Sequence, residues 1–211
     1  MSNKNPLIGI IDHNYANIHS VVKALVYLKV NHKIIKKPQD MNNIEAIILP
    51  GVGSHDAAME SLNNNGFANE IKTASKKNIP IMGVCLGMQL LFEKSEEGSL
   101  PGLGIVKGEV IKINVGNTGL KIPHMGWNKT TKCQGNTLMD GIENNTYFYY
   151  VHGYKCIPFD KSVMTSFTTY SQEICSSIEV KSIFGTQFHP EKSGIEGINV
   201  YKNFINKLKK I

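Results

Sequence analysis

Apolar residues run along this chain in two rhythms, and the change between them falls near its middle. Residues 7–11 form a short continuous apolar run ending in Asp12, the pattern of a strand buried on both faces. A polar loop at 13–17 leads into 18–29, where Val21, Val22, Leu25 and Leu28 recur at helical spacing and predict an amphipathic helix. Further strands are expected at 33–36, 46–49 and 79–82, with helices at 56–62 and 67–77. Another amphipathic helix is expected after residue 85, carrying Met88, Leu90, Leu91 and Phe92. This alternation predicts an α/β fold with a mostly parallel central sheet flanked by helices.

Past the turn residues Gly98, Pro101, Gly102 and Gly104 the rhythm shortens to two. Segments 106–113, 147–151, 164–168, 174–180 and 183–188 read as antiparallel strands and hairpins, so an antiparallel β layer is expected to join the parallel sheet. Most tyrosines of the aromatic stretch 147–154 are expected in the core, while Trp127 stays open between core and binding surface. A helix over 197–211 closes the chain with Val200, Phe204 and Leu208 inward. No repeat or linker interrupts the pattern, and residues 1–211 are expected to form one domain.

Composition narrows the function classes. At 211 residues and 41% hydrophobic, the chain has enough apolar material for a sizeable core. Its net charge of +6 is carried by lysine alone, with no arginine. Arginine is the usual residue for bidentate recognition of bases and phosphates, so no nucleic-acid partner is expected. Lys207, Lys209 and Lys210 read as a solvated helix end that complements the helix dipole. No apolar run approaches the roughly 20 residues of a membrane span, and the polar start shows no signal peptide. No membrane partner and a cytoplasmic location are expected. The cysteines at 85, 133, 156 and 175 form no C-x-x-C pair, so neither a zinc site nor a thioredoxin-like motif is expected, and the last three read as structural; no metal and no cofactor is expected.

Three stretches carry candidate chemistry. Gly83-Val84-Cys85-Leu86-Gly87-Met88-Gln89 follows an apolar strand and opens a helix, which is the logic of a nucleophile elbow. A cysteine there sits at a helix N-terminus that favours thiolate over thiol. The plainer alternative is that Cys85 is a small buried hydrophobe. Pro50-Gly51-Val52-Gly53-Ser54 ends a strand with glycines that let a ligand approach the backbone, although such loops are often plain turns. His189-Pro190-Glu191 brings a general base and an acceptor for its second ring nitrogen to the end of a late strand. Gln89 lies one helical turn from Cys85 on the same face, within reach of a substrate.

Taken in this order, the three stretches resemble the class I glutamine amidotransferases. Pro123-His124-Met125-Gly126-Trp127-Asn128, Tyr150-Val151-His152-Gly153-Tyr154 and Lys192 narrow the likeness to the glutaminase subunits of imidazole glycerol phosphate synthase. The resemblance implies a catalytic set of Cys85, His189 and Glu191, with an oxyanion and substrate site at Gly51, Val52, Gly53, Leu86 and Gln89. It implies L-glutamine as substrate and a glycine loop that stays misaligned until a partner signals. That partner would be a (β/α)8 cyclase subunit in a heterodimer, receiving ammonia through a dry passage past Trp127, Tyr149, His152 and Lys192. Its products would be imidazole glycerol phosphate and an aminoimidazole carboxamide ribotide, in histidine biosynthesis.

The chain departs from the family pattern in three places. Asp12-His13-Asn14-Tyr15-Ala16-Asn17 lacks two glycines usual in the first loop, His55 replaces a phenylalanine, and Gly153 replaces a serine. The first loop faces the partner in the family, so an ammonia-supplying component of a surface-polysaccharide or aminosugar pathway is the alternative. A thiol hydrolase on a related scaffold is the other.

Overall fold

The structure, a computed structural model, describes residues 6–133 and 137–208. Its first half follows the expected alternation: β1 (Ile8–Ile11), α1 (Ile18–Tyr27), β2 (His32–Ile35), β3 (Ala46–Gly51), α2 (His55–Asn64), α3 (Phe67–Lys76), β4 (Ile81–Cys85) and α4 (Leu86–Leu90). The second half is strand-rich: β5 (Lys94–Ser95), β6 (Gly108–Lys112), β7 (His124–Lys132), β8 (Thr146–His152), β9 (Tyr154–Pro158), β10 (Met164–Tyr170), β11 (Gln172–Val180) and β12 (Ile183–Thr186), then α5 (Gly194–Leu208).

Strands β2, β1, β3, β4 and β12 lie side by side and parallel. Strands β11, β10, β7 and β8 continue the same sheet antiparallel, making nine strands in all. The antiparallel part is thus added edge-on to the central sheet, and among the described residues β5, β6 and β9 form a separate sheet. Strand β12 is antiparallel to β11 as expected, yet parallel to β4, with Phe184 opposite Met82 and Thr186 opposite Val84. All four of its residues are buried, as befits a strand covered on both faces.

Alternation along the central strands divides the core in two. Ile47 and Leu49 face a cluster with Leu62, Phe67, Ile71 and Phe92 from α2, α3 and the segment after α4. Ile48, Met82 and Val84 face another with Val21 and Leu25 of α1 and Val200 and Phe204 of α5. Val22, Leu28 and Leu208, expected inside, pack at its margin.

Helix α4 is shorter than the sequence pattern suggests. It spans five residues, all buried, rather than an amphipathic length reaching Phe92. The turn at 103–106 ends it, because the N–H groups of Leu103, Gly104, Ile105 and Val106 bind the carbonyls of Leu90, Phe92 and Leu91. In the aromatic strand β8, Phe148 and Tyr150 are buried whereas Tyr147 is exposed, so the tyrosines alternate rather than gather in the core. Trp127 is 55% exposed. Lys207 pairs with Glu179 at 3.5 Å; Lys209 and Lys210 lie outside the described residues. Among the described residues no helix is long and apolar enough to cross a membrane.

Candidate active site

The turn from β4 into α4 holds Cys85 at φ +54° and ψ −109°, a strained conformation for a residue with a side chain. Two glycines make the turn possible. A Cβ on Gly83 would lie 2.6 Å from the Gly87 carbonyl oxygen, and one on Gly87 would overlap the Leu49 carbonyl. Gly51, the last residue of β3, is the register partner of Cys85, so the glycine strip and the thiol end up side by side. The Cys85 Sγ lies 3.7 Å from the Val151 carbonyl oxygen and 3.8 Å from Gln187 Nε2.

His189 reaches the same point from β12. Its N–H donates to the Tyr149 carbonyl at 2.9 Å, and Ser193 Oγ, itself receiving the Tyr149 N–H at 3.0 Å, donates to the His189 carbonyl at 2.7 Å. The histidine backbone is therefore tied to β8. Its Nδ1 lies 2.8 Å from Glu191 Oε1, with both side chains at most 2% exposed. A carboxylate can only accept, so Nδ1 carries the proton, and Nε2 has no other hydrogen-bond partner. Tyr201 donates to the second Glu191 oxygen at 3.5 Å. Burial opposes a charged imidazole, but the Cys85 thiolate and the Glu191 carboxylate outweigh it and raise the His189 pKa to about 10. The arrangement can hold a thiolate–imidazolium pair and deliver a proton from Nε2.

A cavity of about 280 Å3 opens over Cys85 and His189, lined also by Val52, Gly53, Leu86 and Gln89. Gln89 Nε2 is fixed between the Tyr154 carbonyl (3.1 Å) and Gln187 Oε1 (3.0 Å). Glu97 is the carboxylate in the lining. It accepts the His55 N–H at 2.9 Å, and burial raises its pKa. His152 closes another side. Its Nδ1 donates to the Tyr154 carbonyl at 2.7 Å and its Nε2 lies 3.0 Å from His124 Nδ1, with Asn128 3.1 Å from the far His124 nitrogen. Desolvation lowers both pKa values, to about 3 for His152 and about 4 for His124, so the pair is neutral.

Above the cavity the glycine strip is turned away. The Val52 N–H donates to the Tyr15 carbonyl at 2.8 Å. Just before it, the Pro50 carbonyl receives a 2.7 Å hydrogen bond from His13 Nε2.

The family model described as "Glutamine amidotransferase class-I" matches residues 9–208. The chain belongs to this family. Among curated proteins, the amidotransferase is 45% identical to the imidazole glycerol phosphate synthase subunit HisH of Caldanaerobacter subterraneus subsp. tengcongensis, over 94% of this chain and 97% of that one. It is 41% identical to subunit HisH 1 of Methanococcus maripaludis, over 94% and 98%. Among solved structures, its fold matches PurLQS from Thermotoga maritima with a TM-score of 0.75 at 19% identity, over 97% and 100% of the two chains. It also matches a glutamine amidotransferase from Thermotoga maritima, with a TM-score of 0.65 at 15% identity, over 99% and 86%.

The amidotransferase brings Cys85, His189, Val52, Gly53, Leu86 and Gln89 into the lining of one cavity, with Glu191 hydrogen-bonded to His189 and Gly51 in register with Cys85. Trp127, Tyr149 and Lys192 form a separate surface group. The two rings meet edge to face at 6.2 Å, and the lysine ammonium lies 5.7 Å from the Tyr149 centroid. His152, grouped with them in the expected passage, is only 5% exposed and lines the cavity. It alternates out of register with Tyr149 along β8, and its partner is His124. The four cysteines are free; Cys156 and Cys175 are buried and Cys133 is half-buried. Sequence reasoning missed Glu97, Gln187 and Tyr15. Gln187 sits inside the His189 stretch, where its position one strand residue pair away from His189 was the available signal. Glu97, in a turn, and Tyr15, acting through its main chain, carried none.

Proposed function

We propose that this chain is the glutaminase subunit of an imidazole glycerol phosphate synthase, hydrolysing L-glutamine at Cys85 and passing ammonia to a (β/α)8 cyclase subunit of the HisF type. The observation that carries the reading is the buried Cys85–His189–Glu191 set opening onto a cavity of amino-acid size, about 280 Å3, in a chain 45% identical to a HisH subunit. A cavity this small, at the lower end for ligand pockets, favours a free amino acid over the peptide a thiol peptidase would bind.

The Cys85 thiolate attacks the side-chain carbonyl carbon of glutamine, and negative charge moves to the carbonyl oxygen. The Leu86 N–H, first in α4 and without an intrahelical acceptor, is one donor for that oxyanion. The Val52 N–H is the second, once the Gly51–Val52 peptide turns it from Tyr15 towards the cavity. His189 gives its Nε2 proton to the departing nitrogen, so ammonia leaves and a γ-glutamyl thioester remains. Water, deprotonated by His189, then attacks the thioester and releases glutamate. Glu191 keeps Nδ1 protonated throughout and holds Nε2 towards the sulfur. Glu97 meets the α-ammonium of the substrate, the one cationic group that glutamine brings to this lining.

Trp127, Tyr149 and Lys192 form the face that meets the cyclase, with exposed Met125 beside them in β7. Ammonia must stay unprotonated to react, and an apolar, aromatic seam keeps water from it. The protein works in the cytoplasm as one domain. Replacing Cys85 with alanine tests the chemistry: glutamate release should vanish while the melting temperature stays unchanged. A C85A chain that still turned over glutamine would remove this mechanism.

A further inference from the structure

We propose that His13 is a positioning residue for the oxyanion strip, holding the Pro50 carbonyl so that the Gly51–Val52 peptide turns about a fixed end. The inference rests on the glutaminase reading above and goes beyond its catalytic set.

His13 is fully buried, and its Nε2 lies 2.7 Å from the Pro50 carbonyl oxygen. A carbonyl only accepts, so the ring proton sits on Nε2. The other nitrogen, Nδ1, is buried without a partner. An unsatisfied buried acceptor destabilises the fold. A leucine or phenylalanine could fill the space without that cost, so packing does not account for a histidine here. Its hydrogen bond to Pro50 does.

The placement of that bond matters. Ser61 Oγ donates to the His13 carbonyl at 2.7 Å, which anchors the residue to α2. Two residues later the Tyr15 carbonyl takes the Val52 N–H at 2.8 Å. Segment 13–15 therefore grips residue 50 through a side chain and residue 52 through the main chain. The peptide between Gly51 and Val52 lies between the two grips. Turning the Val52 N–H into the cavity requires breaking the Tyr15 bond. The Pro50 carbonyl belongs to the preceding peptide and stays put while His13 holds it, and the proline ring restricts φ at residue 50. Without the His13 bond, the Pro50 carbonyl would be held by strand pairing alone at the very end of β3, and the oxyanion donor would arrive less precisely.

The test uses the complex of this chain with the cyclase subunit from the same genome, supplied with glutamine and the cyclase's ribotide substrate. His13→Gln places an amide nitrogen where Nε2 stood, whereas His13→Asn places it where Nδ1 stood. H13N should lower the stimulated kcat about tenfold or more, short of the hundredfold to thousandfold expected on losing an oxyanion donor outright, with KM within about twofold. H13Q should stay within about threefold of the unsubstituted complex. An H13N complex with undiminished kcat, or H13N and H13Q equally impaired, would overturn the proposal while leaving the glutaminase reading intact. An unsubstituted complex that releases no glutamate would overturn both. Nitrogen NMR of the unsubstituted chain provides a measurement free of folding effects: His13 as the Nε2–H tautomer supports the inference, and the Nδ1–H tautomer refutes it.

Discussion

The main-chain N–H of Val52 donates to the carbonyl of Tyr15 at 2.8 Å, although Val52 stands at the rim of the cavity that holds Cys85. In the proposed mechanism this N–H is an oxyanion donor, and in the isolated chain it is committed elsewhere. Hydrogen exchange should find the Val52 amide protected in the free chain and deprotected or shifted in the complex with the cyclase. Rapid exchange of this amide in the free chain would mean that the strip is not latched.

Glu191 has an effect that can be read as a pH profile. Its carboxylate helps to raise the His189 pKa to about 10, so replacing Glu191 with glutamine should lower that value. The imidazolium would then lose its proton at lower pH, and the alkaline limb of kcat/KM should move towards neutrality. We expect kcat to fall about a hundredfold, within the range for disabled acid–base catalysis. An unshifted alkaline limb in E191Q would show that Glu191 does not set the charge of His189.

Glu97 should act in binding rather than chemistry. Its carboxylate lines the cavity, and in the proposed reading it meets the α-ammonium, a group that the reaction leaves unchanged. Glu97→Gln should therefore raise KM for glutamine about tenfold or more while leaving kcat within about twofold. A kcat loss at unchanged KM would place Glu97 in the reaction itself.

The neutral His124–His152 pair predicts an acid-labile fold. Both pKa values lie below the ordinary 6.5, at about 4 and about 3, because burial disfavours the charged rings. The unfolded chain therefore takes up these protons first as the pH falls. The stabilising contribution is complete above about pH 6.5 and is lost progressively towards pH 4 and 3. The melting temperature should drop across that window in the unsubstituted chain and drop less in His152→Gln. Parallel curves for the two chains would show that the pair does not titrate as described.

What the sequence revealed about the site followed from how local each constraint is. The elbow at Cys85 was legible because a strained turn needs small residues at fixed offsets, Gly83 and Gly87. His189 and Glu191 were legible because two residues of spacing suffice to join ring and carboxylate. The latch on Val52 was not, since a main-chain carbonyl at Tyr15 leaves no mark on the side-chain pattern. Helix α4 read longer than its five residues because the carbonyls that end it are taken by the distant turn at 103–106. Strand β12 looked like one more hairpin member because period and length cannot show that its other neighbour is β4. That the His152 side chain faces inward and meets His124 was not legible either, because the two residues are joined across strands β7 and β8 rather than by local spacing.

Glutamate release from glutamine by the purified chain, alone and then with the cyclase subunit and its ribotide substrate, tests the central claim most directly. Slow release alone, strong stimulation in the complex, and none in either case after Cys85→Ala are the results expected. An intact, folded chain that releases no glutamate even in the complex, or a C85A chain that does, would contradict the account.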